Sequence, residues 1–474
     1  MLFCSEKFLV FFTIVFLAYW AMPWRRARTY LLLIASFYFY ASWNHWLALI
    51  IGVSTTIDYF VARSMDATEI PWRRKALLSV TIVANLGLLC YFKYANFFLQ
   101  SLEQALHAAG STASLPVLKV MLPIGISFYT FEAINYAVDV YRKHVPAERN
   151  LAHFMLFITF FPHLVAGPIV RARDFLPQIA REKRWDWARM QLGVQFFLMG
   201  LFKKLAIADR MAMFSDPVFA NPENYRTSAI WLGVLAYSIQ IYCDFSGYTD
   251  MALGSAHMLG FKLARNFNMP YASANVSEFW RRWHISLSSW LRDYLFIPLG
   301  GSRGTNWQTN RNLMLTMTLG GLWHGASWTF VAWGVLHGAL LIIHREFRGV
   351  CEGRSLLKRT IDSAPGWAAR VGLTFGAVSL AWVFFRATSF TAAATMFERM
   401  FIFHPGEPLP MSRLSLAVLT AVVLGSHALA MSGGWKTLSN RIPAPALGVS
   451  YALVLTLALV LSPDSGKAFI YFQF

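Results

Sequence analysis

The feature that most constrains this chain is a succession of unbroken apolar stretches of about 15 to 25 residues, each long enough as a helix to cross a hydrocarbon layer of roughly 30 Å. The first runs from Leu9 to Trp20, and stretches of this kind recur as far as 446–462. In lipid every backbone N–H and C=O must find a partner within the protein, so such a run folds as a helix. A barrel would need alternating strands of about ten residues instead. Composition agrees: 56% of the 474 residues are hydrophobic and 14% are charged, against roughly a quarter charged in soluble globular chains. A soluble enzyme, a disordered chain and a β-barrel are excluded, leaving an all-α polytopic membrane protein.

Forty-two Lys and Arg against 24 Asp and Glu give a net charge of +18. In a membrane protein that excess collects in loops beside anionic headgroups, so the expected partner is the lipid membrane, and no nucleic acid is expected. Arg25, Arg26 and Arg28 follow the first stretch, which reads as a retained span rather than a cleaved leader. Arg63, Arg73, Arg74 and Lys75, then Arg142, Lys143 and Arg149, make two further basic loops, whereas 100–117 contains no Lys or Arg. The three basic loops alternate in phase and set a topology with them cytoplasmic. Segment 150–170 breaks the phase, with basic residues on both flanks and Pro162, Gly167 and Pro168 inside; it reads as a re-entrant element bordering a site.

Further spans are expected near 190–208, 229–258, 311–326, 328–344, 369–386, 414–431 and 446–462, about a dozen in all. They form one domain over 1–474, with N-terminal spans in 8–98, a core motif region at about 120–345 and C-terminal spans in 369–462. No internal repeat marks the paired halves of a secondary transporter. Cys4, Cys90, Cys243 and Cys351 lie far apart without a CxxC pair, so neither zinc nor a disulfide framework is expected.

Segment 278–295, EFWRRWHISLSSWLRDYL, is too charged to span and too aromatic for a solvated loop. At 100° per residue, Trp280, Trp283, Leu287, Trp290 and Tyr294 share one arc, and Arg281, His284, Ser288 and Arg292 another. The spacing predicts an amphipathic interfacial helix, either a surface anchor or a basic shelf for a phosphate-bearing donor. The following LGGSRG, 299–304, could cradle phosphate through backbone amides but lacks the Lys-Ser/Thr of a P-loop.

His324 lies 12 residues beyond Asn312, roughly 18 Å along a helix. An ionisable side chain at membrane depth is a functional candidate, the bland alternative being a hydrogen bond to a carbonyl. Trp323 precedes it, and Gly320, Gly321 and Gly325 would let backbone or substrate approach closely. In YCDFSGYTDMA, Asp244 and Asp250 flank Ser246, Tyr248 and Thr249 inside an apolar stretch, so the carboxylates either tie helices together or serve catalysis. The same two readings hold for His163, Glu132 and Asp139. His337 and His344 share a helical face seven residues apart, but no metal-ligand spacing accompanies them and no metal is expected. None of the 12 histidines begins an HxxxD motif, and no serine nucleophile elbow is expected. If the chemistry is acyl transfer, the economical route is direct attack of a hydroxyl on a thioester, with a histidine as general base.

The run from YCDFSGYTDMALG (242–254) through NFNMPY (266–271) and EFWRRWHISLSSWLRDYLFIPLGGSRG (278–304) to NLMLTMTLGGLWHGASW (312–328) resembles the membrane-bound O-acyltransferase (MBOAT) family, closest to its bacterial alginate O-acetylase branch. YFKYANF at 91–97, LPIGISFYTFEAINYAVDVYR at 122–142, FFPHLVAGPIVR at 160–171 and the terminal FIYFQF extend the likeness over most of the chain. The resemblance implies a bundle of about 11–12 transmembrane helices, with re-entrant and interfacial helices around a funnel or tunnel joining a cytoplasmic donor to an extracytoplasmic acceptor.

By the LWHG match His324 takes the place of the family's catalytic histidine, and by the RRWHISLS match His284 that of its second histidine. Arg281, Arg282, Trp283, Ser288, Arg292, Asp244, Ser246, Tyr248, Trp323 and Asn312 make up the expected donor- and substrate-binding set. The implied donor is acetyl-CoA, with no tightly bound cofactor. The implied setting is the bacterial inner membrane, beside a periplasmic SGNH-hydrolase-like partner and a polysaccharide synthase and secretion complex. The polymer would be an exopolysaccharide such as alginate or cellulose; the region 432–446 is shorter than in the alginate type. The competing readings are acyl or D-alanyl transfer to peptidoglycan or teichoic acid, a polysaccharide or lipid transporter, and an inactive scaffold.

Overall fold

The computed structural model describes residues 1–434, 442–463 and 469–470. Residues 435–441 of the stretch 432–446, and Tyr471–Phe474 of the terminal FIYFQF, therefore lie outside the described residues. Among those described the regular elements are helical, joined by one isolated bridge between Tyr225 and Glu407. Among the described residues seven helices are long and apolar enough to cross a membrane: His45–Asp66, Pro71–Ala108, Trp187–Ala220, Thr227–Met258, Trp328–Cys351, Ala364–Arg386 and Arg413–Met431. Their ends are chemically marked. Asn44 accepts from the Trp46 amide at the start of His45–Asp66, and the Ser327 side chain accepts from the Thr329 amide at the start of Trp328–Glu352. Helix Pro71–Leu89 runs on through a π turn at Cys90–Tyr94 to Ala108, absorbing the first part of the stretch 100–117.

The chain divides into two compact units. The first comprises Met1–Phe197 and Met251–Ala264. Its core is aromatic, with Phe161 meeting Phe8, Phe11, Phe12 and Phe39 at centroid separations of 5.2–6.4 Å. Helix Leu151–Thr159 has nine residues, about 13 Å of rise, too short to cross a bilayer core. It breaks at Phe160 and is followed by the single turn Phe161–Leu164. This agrees with a half-membrane element, and its irregular backbone is buried in protein. The Ser36 hydroxyl accepts from the Phe161 amide at 3.1 Å, and Glu132 accepts from the Val170 amide at 2.8 Å. His163 Nδ1 lies 3.2 Å from the same Glu132 oxygen. Of the two readings open for His163 and Glu132, the packing supports the one in which they tie the broken segment to helix Ile126–Tyr141.

The second unit comprises Leu198–Asp250 and Arg265–Phe474. Within it helices Asn306–His324 and Trp328–Glu352 approach backbone to backbone. A Cβ on Gly321 would fall 2.3 Å from the Phe330 carbonyl oxygen, and one on Gly334 would fall 2.4 Å from that of Met317. Small residues at helix crossings allow this contact. A Cβ on Gly325 would collide with the Phe330 ring, so of the two readings open for Gly321 and Gly325 the packing supports close approach within the protein.

Candidate active site

The single helix expected over 278–295 is broken. Val276–Arg282 is helical, Trp283 is extended, His284 adopts φ 43° and ψ 53°, and Ile285–Leu291 resumes before a π turn at Arg292–Phe296. The reason lies in residues 266–268. The Asn268 amide donates to the Arg282 carbonyl and the Ile285 amide to the Asn266 carbonyl, each at 2.9 Å. The Asn266 side-chain oxygen accepts from the Ser286 hydroxyl at 2.6 Å. These partners replace the helical bonds that the break gives up, so tertiary contacts override the helical period.

The break removes His284 from the polar arc that sequence periodicity gave it. Its imidazole has no solvent exposure and stands edge-on to Phe245 at 4.7 Å. Burial holds its pKa down to about 3, so the ring is neutral at working pH. Trp283 is a core residue packed on Phe267, Phe279 and Trp382 at 5.0–5.4 Å. Ser288 donates to the Trp283 carbonyl at 3.2 Å, closing the break from the other side. The basic shelf is thinner than expected. Arg282 is paired with Glu278 at 2.9 Å and Arg292 with Asp293 at 2.7 Å, whereas exposed Arg281 donates to the Ser277 hydroxyl at 2.9 Å.

His324 is the last residue of helix Asn306–His324 and is 3% exposed. Eighteen residues separate it from Asn306, about 27 Å of rise. Trp323, Trp333 and Phe385 stand 5.0–5.3 Å from its ring, centroid to centroid. His284 lies 6.3 Å away with its plane at 61°. The two histidines singled out in sequence, 40 positions apart, are thus brought together, ringed by aromatics. Trp333 and Phe385 were not legible in sequence, where Trp and Phe are too numerous for any one to stand out.

The other expected residues lie elsewhere in this unit. Asn312 donates to the Gly301 carbonyl at 3.1 Å and accepts from the Arg311 guanidinium at 3.0 Å. It holds the glycine loop in which Gly300 and Gly301 take φ 112° and 57°. The amides of Gly300, Gly301 and Arg303 donate to carbonyls of Ile297, Phe296 and Gly300. Those three donors are therefore not offered to a phosphate.

Asp244 sits in an ion triad, its carboxylate 2.7 Å from Lys204 Nζ, which also lies 2.8 Å from Asp209. Asp244 further accepts from the Ile470 amide at 2.7 Å. Beside it Lys203 pairs with Asp250 at 2.6 Å, Ser246 is buried, and Tyr248 stacks on Phe469 at 4.4 Å. The lysines were overlooked in sequence. The signal was the Lys203-Lys204 pair inside an apolar stretch, which called for the carboxylates at 244 and 250. Among the described residues no group of three His, Cys, Asp or Glu gathers as a metal site.

The fold, the paired buried histidines and their aromatic ring can be set beside known proteins. The model of the MBOAT, membrane-bound O-acyltransferase family matches residues 71–385. The probable alginate O-acetylase AlgI of Azotobacter vinelandii is 39% identical over 517 aligned residues, covering 100% of both chains. That of Pseudomonas aeruginosa is 43% identical over 431, covering 91% of this chain and 80% of its own. A peptidoglycan O-acetyltransferase of Helicobacter pylori is 38% identical over 396, covering 78% of this chain and 73% of its own. The matched interval carries both histidines and the helices that hold them: the chain belongs to the membrane-bound O-acyltransferase family and is a multi-pass membrane O-acyltransferase.

Proposed function

We propose that this chain is an O-acetyltransferase of the bacterial inner membrane that serves acetylation of an exopolysaccharide, with acetyl-CoA as donor. The observation that carries the reading is the pair of buried imidazoles 6.3 Å apart, one at a helix end and one at a backbone break. His324 takes the proton of an acceptor hydroxyl as its oxygen attacks the thioester carbonyl carbon. The C–S bond then breaks, and the proton passes from the imidazolium to the departing thiolate. Neutral His284 positions the reacting groups, and Arg281 is the free-facing cation left to meet the donor's phosphates. The acceptor is a hydroxyl on a periplasmic SGNH-hydrolase-like partner that hands the acetyl group to the polymer, next to a synthase and secretion complex.

Alginate as the polymer is supported by relatives named for alginate O-acetylation at 39% and 43% identity. Peptidoglycan is the second reading, supported by the Helicobacter pylori relative at 38%. Purified protein in detergent, given acetyl-labelled CoA and a hydroxyl acceptor, should release free thiol and form an acetyl ester. Movement of a glycan or lipid without thioester cleavage would instead identify a transporter. Deleting the protein and assaying acetyl esters on each cell-surface glycan distinguishes alginate from peptidoglycan.

A further inference from the structure

In the unit made of Met1–Phe197 and Met251–Ala264, a cavity of about 190 Å³ is lined by Arg25, Arg28, Arg181 and Lys183 together with apolar Leu156 and Ile179. Among the described residues none of these four cations has a carboxylate within 4.0 Å; Glu182, the acid in the lining, lies 3.8 Å from Arg184. Three of the four are nevertheless held in place. Arg25 donates to the Ala180 carbonyl at 2.7 Å, and Arg28 donates to those of Lys183 and Met22 at 2.9 and 2.7 Å. Lys183 Nζ sits 4.1 Å over the Phe261 ring. Each guanidinium offers five N–H donors, so both arginines keep several for a ligand.

Crowding of like charge is visible in Lys183, whose pKa is lowered to about 8 by burial and by Arg189 and Arg181. Helix Arg25–Ala41 adds to the positive potential, since it starts without an acidic residue in its first turn and without a side-chain cap. A preformed cluster of unneutralised cations beside apolar wall is the environment that a tetrahedral oxyanion on an apolar stem satisfies. The volume falls below the range of about 300–1,000 Å³ for whole small-molecule sites, which suits one phosphate group and its ester stem.

We propose that this cavity binds a phosphate ester, the anion bridging Arg25, Arg28, Arg181 and Lys183. The test uses the full chain purified in a neutral detergent, with thermal unfolding and native mass spectrometry as readouts. Phosphatidylglycerol, phosphatidylcholine and inorganic phosphate are added separately at low salt. Phosphatidylglycerol should raise the unfolding temperature and remain bound as one equivalent, phosphatidylcholine should not, and the effect should weaken as salt rises. Lys183→Gln with Arg181→Gln should raise the half-saturating concentration at least fivefold. Arg181→Gln alone, at an exposed position, provides a second variant that keeps the fold and should shift it in the same direction. An equal response to inorganic phosphate identifies a free phosphate source, and a response to the lipid alone identifies a headgroup. No response to either, or the same response in the wild type and both variants, overturns the proposal.

Discussion

The imidazoles of His284 and His324 face each other at 6.3 Å, their planes inclined by 61°, although one is mounted on a kinked connection and the other on a helix terminus. That arrangement brings the expected base and its companion imidazole to one point. Their roles can be separated by substitution.

His324→Gln keeps the volume and a hydrogen-bonding end while removing the base. It should leave the unfolding temperature near the wild-type value and reduce acetyl transfer on the order of 10²-fold or more. A variant with full transfer, or one that loses only expression, would remove His324 as the base.

At His284 the backbone itself selects the informative replacement. With φ at 43°, Asn is tolerated and Ala carries about 1–2 kcal/mol of strain. His284→Asn should therefore unfold at a higher temperature than His284→Ala, with both losing transfer. Equal stability of the two would show that the break relaxes when the ring is removed.

Acid should destabilise the unit through the same ring. Folded His284 titrates near 3 against an ordinary 6.5, so the unfolded chain takes up a proton over that interval while the folded chain does not. Stability from this group is complete above about pH 6.5 and declines as pH falls toward 3. His284→Asn should flatten the acid side of a plot of unfolding temperature against pH.

Lys204→Met would leave Asp209 and Asp244 buried without their shared cation, a loss of about 3–5 kcal/mol. Denaturation in detergent should show the drop, and Lys204→Arg should recover part of it. A Met variant as stable as the wild type would show that the triad contributes nothing to the fold.

The two arginines at 281 and 282 should part company. Arg281, exposed and bonded to Ser277, should on conversion to Ala raise the KM for acetyl-CoA more than it lowers kcat. Arg282→Ala frees Glu278 and the Asn268 carbonyl and should lower stability as well. An unchanged KM in Arg281→Ala would take the shelf out of donor binding.

What the sequence made legible follows from the reach of each signal. Apolar run length is local and strong, and it identified all-helical architecture; the interrupted 150–170 segment was legible because Pro and Gly act where they stand. His324 was visible because an ionisable group at depth is conspicuous. The helix across Trp283 and His284 was misread because its break is imposed by Asn266 and Asn268, whose hydrogen bonds no period reports. Asn312 was expected near substrate, yet its amide is committed to the Gly301 carbonyl. The partners of Asp244 and Asp250 lie 40 and 47 residues upstream at Lys204 and Lys203, so the buried lysines were the signal, and the fold shows which carboxylate each one meets.

The Lys203–Asp250 and Lys204–Asp244 pairs also bear on biogenesis. Released singly into lipid, Thr227–Met258 would expose Asp244 and Asp250, and Trp187–Ala220 would expose Lys203 and Lys204 among its six charged residues, at roughly 2.5–3.5 kcal/mol apiece on insertion scales. Neutralised against each other, they present an apolar exterior. Insertion of the two segments as one hairpin would let Lys203 and Lys204 meet Asp250 and Asp244 before either segment faces lipid alone.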